Sequence, residues 1–322
     1  MTALEHAIDQ YIDLRWRLGF RFAIQAGILR RFVQFATREK ARYVTTDLVL
    51  RWVNTMTEVL PATAARSVSV VRQFAIWRRA MDPRTQTPPG RLIAGRCQRH
   101  VPYLHSAGQL RKLIEAAGQL ESKNGVRGRT YSTMFGLIAV TGLRISEAVN
   151  LDRADVDLDE GVLTIRGTKF GKTRLVPLHE STTKALATYA AKRDAILVNV
   201  RSPAFFVSEA GRRVTHWSTR YNFAHVSQRV GDRPSQRGSG RRGRYRHGRG
   251  PRLHDLRHRF AAETLLMWYR AGADVERELP KLATYLGHVK MEHTYWYIDA
   301  VPELLQLASG RVVGRANSQV RR

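Results

Sequence analysis

Leu253-His-Asp-Leu-Arg-His-Arg-Phe260, then Leu286-Gly287-His288, then Thr294-Tyr-Trp-Tyr297, is the stretch whose reading decides this chain. His254 and Arg257 lie three apart, so a helix sets them on one face. Phe260, Thr264 and Met267 continue a helical period after Leu256 and predict the side this helix buries. Gly272 supplies its stop. The stretch thus gathers a cationic fork, two imidazoles and a phenol, a set suited to displacement at a phosphate. Arg grips two phosphate oxygens at once, His moves protons near neutral pH, and Tyr serves as a covalent nucleophile. Singly, each residue has an ordinary reading: Gly287-His288 as a helix cap, Tyr297 as a half-buried aromatic. Tyr295 stands two residues before Tyr297 and competes with it.

The order His-x-x-Arg, Leu-Gly-His, Thr294-x-x-Tyr297 resembles the C-terminal signature of the tyrosine recombinases, the phage integrase family. Upstream, Thr141-Gly-Leu-Arg144-Ile-Ser-Glu147 resembles that family's first arginine motif. Gly142 can end one helix and let another begin, which places Arg144 near a helix N-terminus. There its guanidinium and unpaired backbone donors can face one anion. The plain alternative is a surface arginine paired with Glu147.

Charge points the same way. The 322-residue chain carries 54 Lys+Arg against 27 Asp+Glu, a net +27. Such a field favours a polyanionic partner, with nucleic acid ahead of acidic membranes. Cys97 is the single cysteine, so an intrachain disulfide is excluded. No apolar run reaches the length of a membrane span. A cytoplasmic, nucleoid-associated bacterial protein is expected.

At the N-terminus, Leu4, Ile8, Tyr11 and Leu18 keep a helical period that Gly19 ends. Ile28, Phe32 and Phe35 mark a second helix. Val49, Trp52, Val53 and Met56 mark a third, capped by Thr45 or Thr46, and Pro61 opens a fourth. This placement resembles the family's helical core-binding (SAM-like) domain. Between Asp82 and Pro102 the prolines, glycines and arginines read as a basic linker. Ser106-Ala-Gly-Gln109 is a capping box before the next helix, and another spans Tyr131 to Val140.

Val156 to Leu158, Val162 to Ile165 and Arg174 to Pro177 alternate as three antiparallel strands. Gly171-Lys172-Thr173 is not a nucleotide-binding loop, because the glycine spacing is one short and a strand, not a helix, follows. In the resembling family a lysine from this hairpin acts on the leaving group. Aligning the Arg-Leu-Val-Pro strand puts Lys169, rather than Lys172, at that position. Helices are expected from His179 to Leu197 and from Trp217 to Val230. Gly231 to Arg252 is Arg- and Gly-rich without apolar period, a basic insertion read as a DNA-ordered loop, with a solvated tether as the plain alternative. After Tyr297, Pro302 starts a short helix, a candidate for the C-terminal segment that relatives dock on a neighbouring protomer, with folding back in cis as the equal alternative.

The expected fold is an α-helical core-binding domain plus a mainly α catalytic domain with a small antiparallel β-sheet. The expected organisation is a helical domain over 1–84, a basic linker over 85–102, a catalytic domain over 103–312 and a basic tail over 313–322. The resemblance implies a site-specific recombinase or integrase acting through a 3′-phosphotyrosine. Its site residues are Arg144, Lys169, His254, Arg257, His288 and Tyr297. Arg144 and Arg257 clamp the non-bridging oxygens and His288 adds a hydrogen bond. Tyr297 attacks phosphorus, His254 takes its proton, and Lys169 protonates the departing 5′ oxygen. No cofactor and no metal are expected, and the partner is duplex DNA bound by a homo- or hetero-tetramer. A type IB topoisomerase shares this chemistry, and a non-catalytic DNA-binding regulator is the rival from another class.

Overall fold

The structure, a computed structural model, describes residues 2–95, 101–167, 173–198, 202–233, 250–288 and 290–309. It divides into two compact units, Met1–His100 and Val101–Arg322.

The first unit holds four helices: α1 (Ala3–Arg17), α2 (Ala23–Arg38), α3 (Thr46–Asn54) and α4 (Pro61–Arg79). Their ends follow local chemistry. Thr2 and Glu5 form a reciprocal capping box on α1, and the Thr45 hydroxyl accepts from the Leu48 N–H at 3.1 Å to start α3. Pro61 sits in the first turn of α4, where its missing N–H has no helical partner to lose. Leu4, Ile8, Leu29, Phe32, Trp52, Val71 and Phe74 fill one apolar core. Tyr11 meets Phe22 and Phe74 edge-on at 5.8 and 5.6 Å, and Phe32 meets Trp52 at 5.1 Å.

The linker expected from residue 85 does not begin there. Thr85 is buried, and the Gln86 N–H donates to the Val44 carbonyl at 2.8 Å. Arg72 Nε donates to the Pro88 carbonyl at 2.9 Å, and Leu92 and Ile93 pack against the helical core. The prolines explain this: they need no donor partner, and their carbonyls remain strong acceptors for an α4 side chain. Cys97 lies outside the described residues.

The second unit begins with α5 (Ala107–Gly118), on the Ser106–Gln109 capping box, and α6 (Val126–Thr141). Gly142 ends α6 at φ +63°, and α7 (Ile145–Asn150) follows Arg144. β1 (Val156–Asp157), β2 (Val162–Ile165) and β3 (Arg174–Pro177) form an antiparallel sheet in that order, with Leu163 opposite Val176. Then come α8 (Glu180–Ile196), α9 (His216–Arg229), α10 (Leu253–Arg270), α11 (Val275–Leu286) and α12 (Glu292–Ala300). Residues 302–309 are helical. This is the mainly helical architecture with a small sheet that the sequence predicts.

α10 joins two apolar cores. Leu253 and Leu256 belong to one, with Leu137, Leu163 and Phe223; Ala261, Leu265 and Leu266 belong to the other, with Leu282, Tyr297 and Leu304. The buried side of α10 is therefore not the expected one. Met267 is 58% exposed, and Phe260 and Thr264 are only half-buried. The periodicity placed that side by chain distance from Leu256, whereas small Ala261 and Ala262 are what let the helix approach its neighbours. Around the Arg/Gly-rich insertion, Arg233 Nη2 donates to the Pro251 carbonyl at 2.5 Å and ties its two described ends together. Residues 234–249 lie outside the described set. Among the described residues no helix is long and apolar enough to cross a membrane.

Candidate active site

The site is organised around one helix end. α11 stops at Gly287, whose φ of +66° suits glycine and leaves the last carbonyls of the helix without intrahelical donors. Three consecutive carbonyls there each accept from a different arginine. Arg174 Nε donates to Tyr285 at 2.8 Å, Arg257 Nη2 to Leu286 at 2.7 Å, and Arg144 Nη2 to Gly287 at 2.7 Å. Cations belong at a helix C-terminus, where unpaired carbonyls concentrate negative potential. A Cβ on Gly287 would come within 2.9 Å of Arg174 Nη1 and 3.2 Å of Arg144 Nη1, so the bare backbone is also what admits the guanidiniums.

Arg257 is 1% exposed and, among the described residues, the largest wholly enclosed side chain. Its Nη1 donates to the Gly142 carbonyl at 2.6 Å, so it bridges the ends of α6 and α11. Burial, and then the charge of Arg144, brings its pKa down to about 10, which leaves it cationic at neutral pH. Arg144 is less enclosed, and Glu147 is its second partner: Nη1 donates to Oε1 at 2.8 Å, and its backbone N–H to Oε2 at 2.9 Å. Arg174 grips the same carboxylate from β3 through two bonds of 2.9 and 2.8 Å. Burial alone would raise the Glu147 pKa, but the Arg174 bonds and charge and the Arg144 contacts bring it to about 2. The ion pair to Glu147 that competed with an anion-facing Arg144 is thus present, and it holds one side of the guanidinium.

His288, just past α11, is joined by a 2.8 Å hydrogen bond between its Nδ1 and Thr294 Oγ1, and Thr294 is fully buried. Burial, then the charges of Arg257 and Arg144, lower its pKa to about 3. His254 opens outward from the first turn of α10, which Asp255 caps by accepting from the Arg252 N–H at 2.7 Å. Desolvation by the surrounding protein, then the charges of Arg257, Arg144, Arg220 and Arg252, lower its pKa to about 4, although one side of the residue faces solvent. Both rings are neutral near pH 7.

Tyr297 is 2% exposed and stacks on His288 with ring centroids 6.2 Å apart. Burial raises its pKa, while the charge of Arg257, a hydrogen bond to Arg257 and the charge of Arg144 act in the opposite sense. Its competitor Tyr295 is 48% exposed on the same helix. The charges of Arg144 and Arg257 act on His254, His288 and Tyr297 alike, so the five residues gather in one region around the end of α11. Lys169 lies outside the described residues. Sequence reading missed Arg174, Thr294 and His258. Arg174 gave no separate signal within a strand read for its alternation. Thr294 had entered only as motif spacing, and His258 lay inside the quoted Leu-Arg-His run. Among the described residues no group of three or more His, Cys, Asp or Glu is arranged to hold a metal ion.

The sequence model of the phage integrase family matches residues 106–303. A protein named integrase/recombinase y4rB, of Sinorhizobium fredii, is 40% identical over 319 residues, 98% of either chain. Tyrosine recombinase XerD of Caulobacter vibrioides is 32% identical over 247 residues, covering 76% of this chain and 73% of its own. Among solved structures, XerH site-specific recombinase in a post-cleavage complex with palindromic difH matches at TM-score 0.62 and 19% identity, over 88% of this chain and 77% of its own. The Tn1549 transposon integrase with transposon right end DNA matches at TM-score 0.63 and 15% identity, over 92% and 94%. These two likenesses concern the fold, while the sequence relationship extends along nearly the whole chain. Helices, sheet and arginine motifs together make this chain a member of the phage integrase family, the tyrosine recombinases.

Proposed function

We propose that this protein is a site-specific DNA recombinase that breaks and rejoins strands through a 3′-phosphotyrosine at Tyr297. The observation that carries this is the buried Tyr297 phenol held against Arg257, beside Arg144 and His288. A phosphodiester under attack becomes a five-coordinate, doubly negative species. Cations fixed in a water-poor site lower that barrier most. Arg257 and Arg144 supply them, the charge that magnesium supplies in other phosphoryl transfers.

Thr294 gives His288 its role. When the hydroxyl donates to Nδ1, the single proton of the neutral imidazole sits on Nε2 and is available to a phosphate oxygen. Neutral His254 is the acceptor for the phenol proton. Lys169, between β2 and β3, protonates the 5′ oxygen as it leaves. The covalent ester keeps the phosphodiester energy, so a second strand's 5′-hydroxyl reverses the step without ATP. The helical unit, with residues 85–93 packed on it, serves as the core-binding domain and residues 103–312 as the catalytic domain, with the insertion tracking phosphates. The protein binds duplex recombination sites as a tetramer, as the λ integrase does in its structure on a Holliday junction.

The test is an SDS-stable protein–DNA adduct on a nicked substrate. Tyr297→Phe should bind DNA and form none, while Tyr295→Phe should still form it. Adduct persisting in Tyr297→Phe overturns the assignment. Absence of adduct from the unaltered protein would favour a DNA-binding regulator.

A further inference from the structure

His258 follows Arg257 directly and lies one helical turn beyond His254. Its ring is wedged between two helices. It meets His254 edge-on at 4.6 Å between centroids, Trp296 at 5.1 Å and Tyr297 at 5.5 Å, with interplanar angles of 82°, 61° and 62°. Among the described residues, the imidazoles in ring contact with Tyr297 are His258 and His288. His258 is therefore in ring contact with both the proton acceptor proposed above and the nucleophile.

Three ring contacts of this kind need no nitrogen, since a phenyl ring makes the same edge-to-face geometry. Yet His258 Nδ1 is buried without a hydrogen-bond partner among the described residues. A polar atom left so is a net loss to folding, and an unexplained one marks a place where something else arrives. The ring is neutral as well. Burial, then His254, Arg257, His288 and Arg252, push its pKa down to about 3, so it can take a hydrogen bond without adding a further positive charge. A protonated ring here would be repelled from the guanidinium that Tyr297 needs.

We infer that His258 is a positioning residue for Tyr297, a neutral imidazole that sets the phenol's angle of attack. Its Nδ1 accepts a hydrogen bond from an ordered water once DNA closes the site, because the phosphodiester itself offers only acceptors. The inference rests on the assignment of Tyr297 as nucleophile. It adds that this nucleophile is oriented by two imidazoles, His288 stacked on one side and His258 edge-on from another.

The experiment separates steps that use Tyr297 from a step that does not. Adduct formation on a nicked substrate uses the phenol. Ligation of a 3′-p-nitrophenyl phosphate end by a 5′-hydroxyl strand bypasses it, yet still needs the arginines. His258→Phe should bind DNA normally, form adduct roughly 10²-fold more slowly, and ligate the activated end within about threefold of the unaltered protein. His258→Asn, which places an amide near the Nδ1 position, should form adduct at least about tenfold faster than His258→Gln, whose amide falls near Nε2. Adduct formation by His258→Phe at the full rate overturns the proposal, because the ring alone would then suffice. Equal loss of adduct formation and ligation overturns it too, because His258 would then be part of the general packing. If His258→Phe does not fold, the Asn and Gln proteins decide, and Gln equal to or above Asn overturns it. Tyr297→Phe run in parallel keeps the two readings apart: adduct there removes the nucleophile assignment, whatever the His258 proteins do.

Discussion

Arg257 is buried as deeply as Phe32 and Phe74, yet the three are held in opposite ways. The aromatic rings of the first unit lie among Leu29, Trp52 and Val71, where contact is non-directional and any side chain of similar volume recovers most of it. Arg257 is held by two carbonyls at 2.6 and 2.7 Å, where direction matters and no other side chain offers the same fork. Deep burial therefore has two meanings in this chain. In the helical unit it is stability, and at the end of α11 it is a desolvated charge fixed in direction by the main chain.

The largest expected effect comes from removing that charge while keeping the volume. Arg257→Met should lower the rate of adduct formation by roughly 10³-fold, at the upper end for loss of one oxyanion-stabilising group. It also leaves the Gly142 and Leu286 carbonyls without this donor. Single-turnover cleavage measures the effect, and a rate within tenfold of the unaltered protein would break the contrast.

Acidification comes next. His105, His254, His258 and His288 have folded pKa values of about 4, 4, 3 and 3, all below the reference of about 6.5. Between those limits the unfolded chain binds more protons than the native one, so stability is full above about pH 6.5 and is lost as pH falls towards 4. Glu147, at about 2, adds a loss of the same sign as pH falls from the usual glutamate value of about 4.3 towards 2. In the first unit the lowered groups Glu5 and Asp82 are carboxylates, so its window also opens lower. His105 alone, buried and facing Arg259, is worth on the order of 2 kcal/mol between pH 7 and 5. Calorimetry should show the melting of the second unit fall by roughly 4–8 °C over that range from this residue alone, with the first unit nearly unmoved. Parallel decline of the two units would count against the assignment of the loss to the buried histidines of the second unit.

The smallest effect sharpens the other side. Phe74→Leu keeps an apolar side chain in an apolar core and should cost less than about 1.5 kcal/mol, read from denaturant midpoints of the first unit. A loss several times larger would mean that this core is as geometry-bound as the site.

Much of this was legible in the residues. Thr45, Ser106 and Gly142 are local signals, each sufficient to start or stop a helix within a residue or two, and the structure uses all three. Arg144, Arg257, His288 and Tyr297 were legible because their spacing follows a family pattern. What could not be read is contact across the chain. Nothing near Arg174 in sequence announces a grip on Glu147 or on the end of α11. The buried side of α10 was misjudged because periodicity reports a face, not which neighbour it meets. The segment from Asp82 to Ile93 looked like free linker because prolines mark loops, while their use as acceptors for α4 depends on tertiary approach.

The three carbonyls of Tyr285, Leu286 and Gly287 act as a ruler. Peptide units repeat at a fixed interval, with neighbouring Cα atoms about 3.8 Å apart. The spacing of the three guanidiniums is thus set by main-chain geometry, and the identities of residues 285 and 286 matter to it only through packing. Such a device is tolerant of substitution and intolerant of insertion or deletion. A side chain exchanged at Leu286 leaves every graduation where it was, whereas one residue added before Gly287 moves each arginine to the wrong mark.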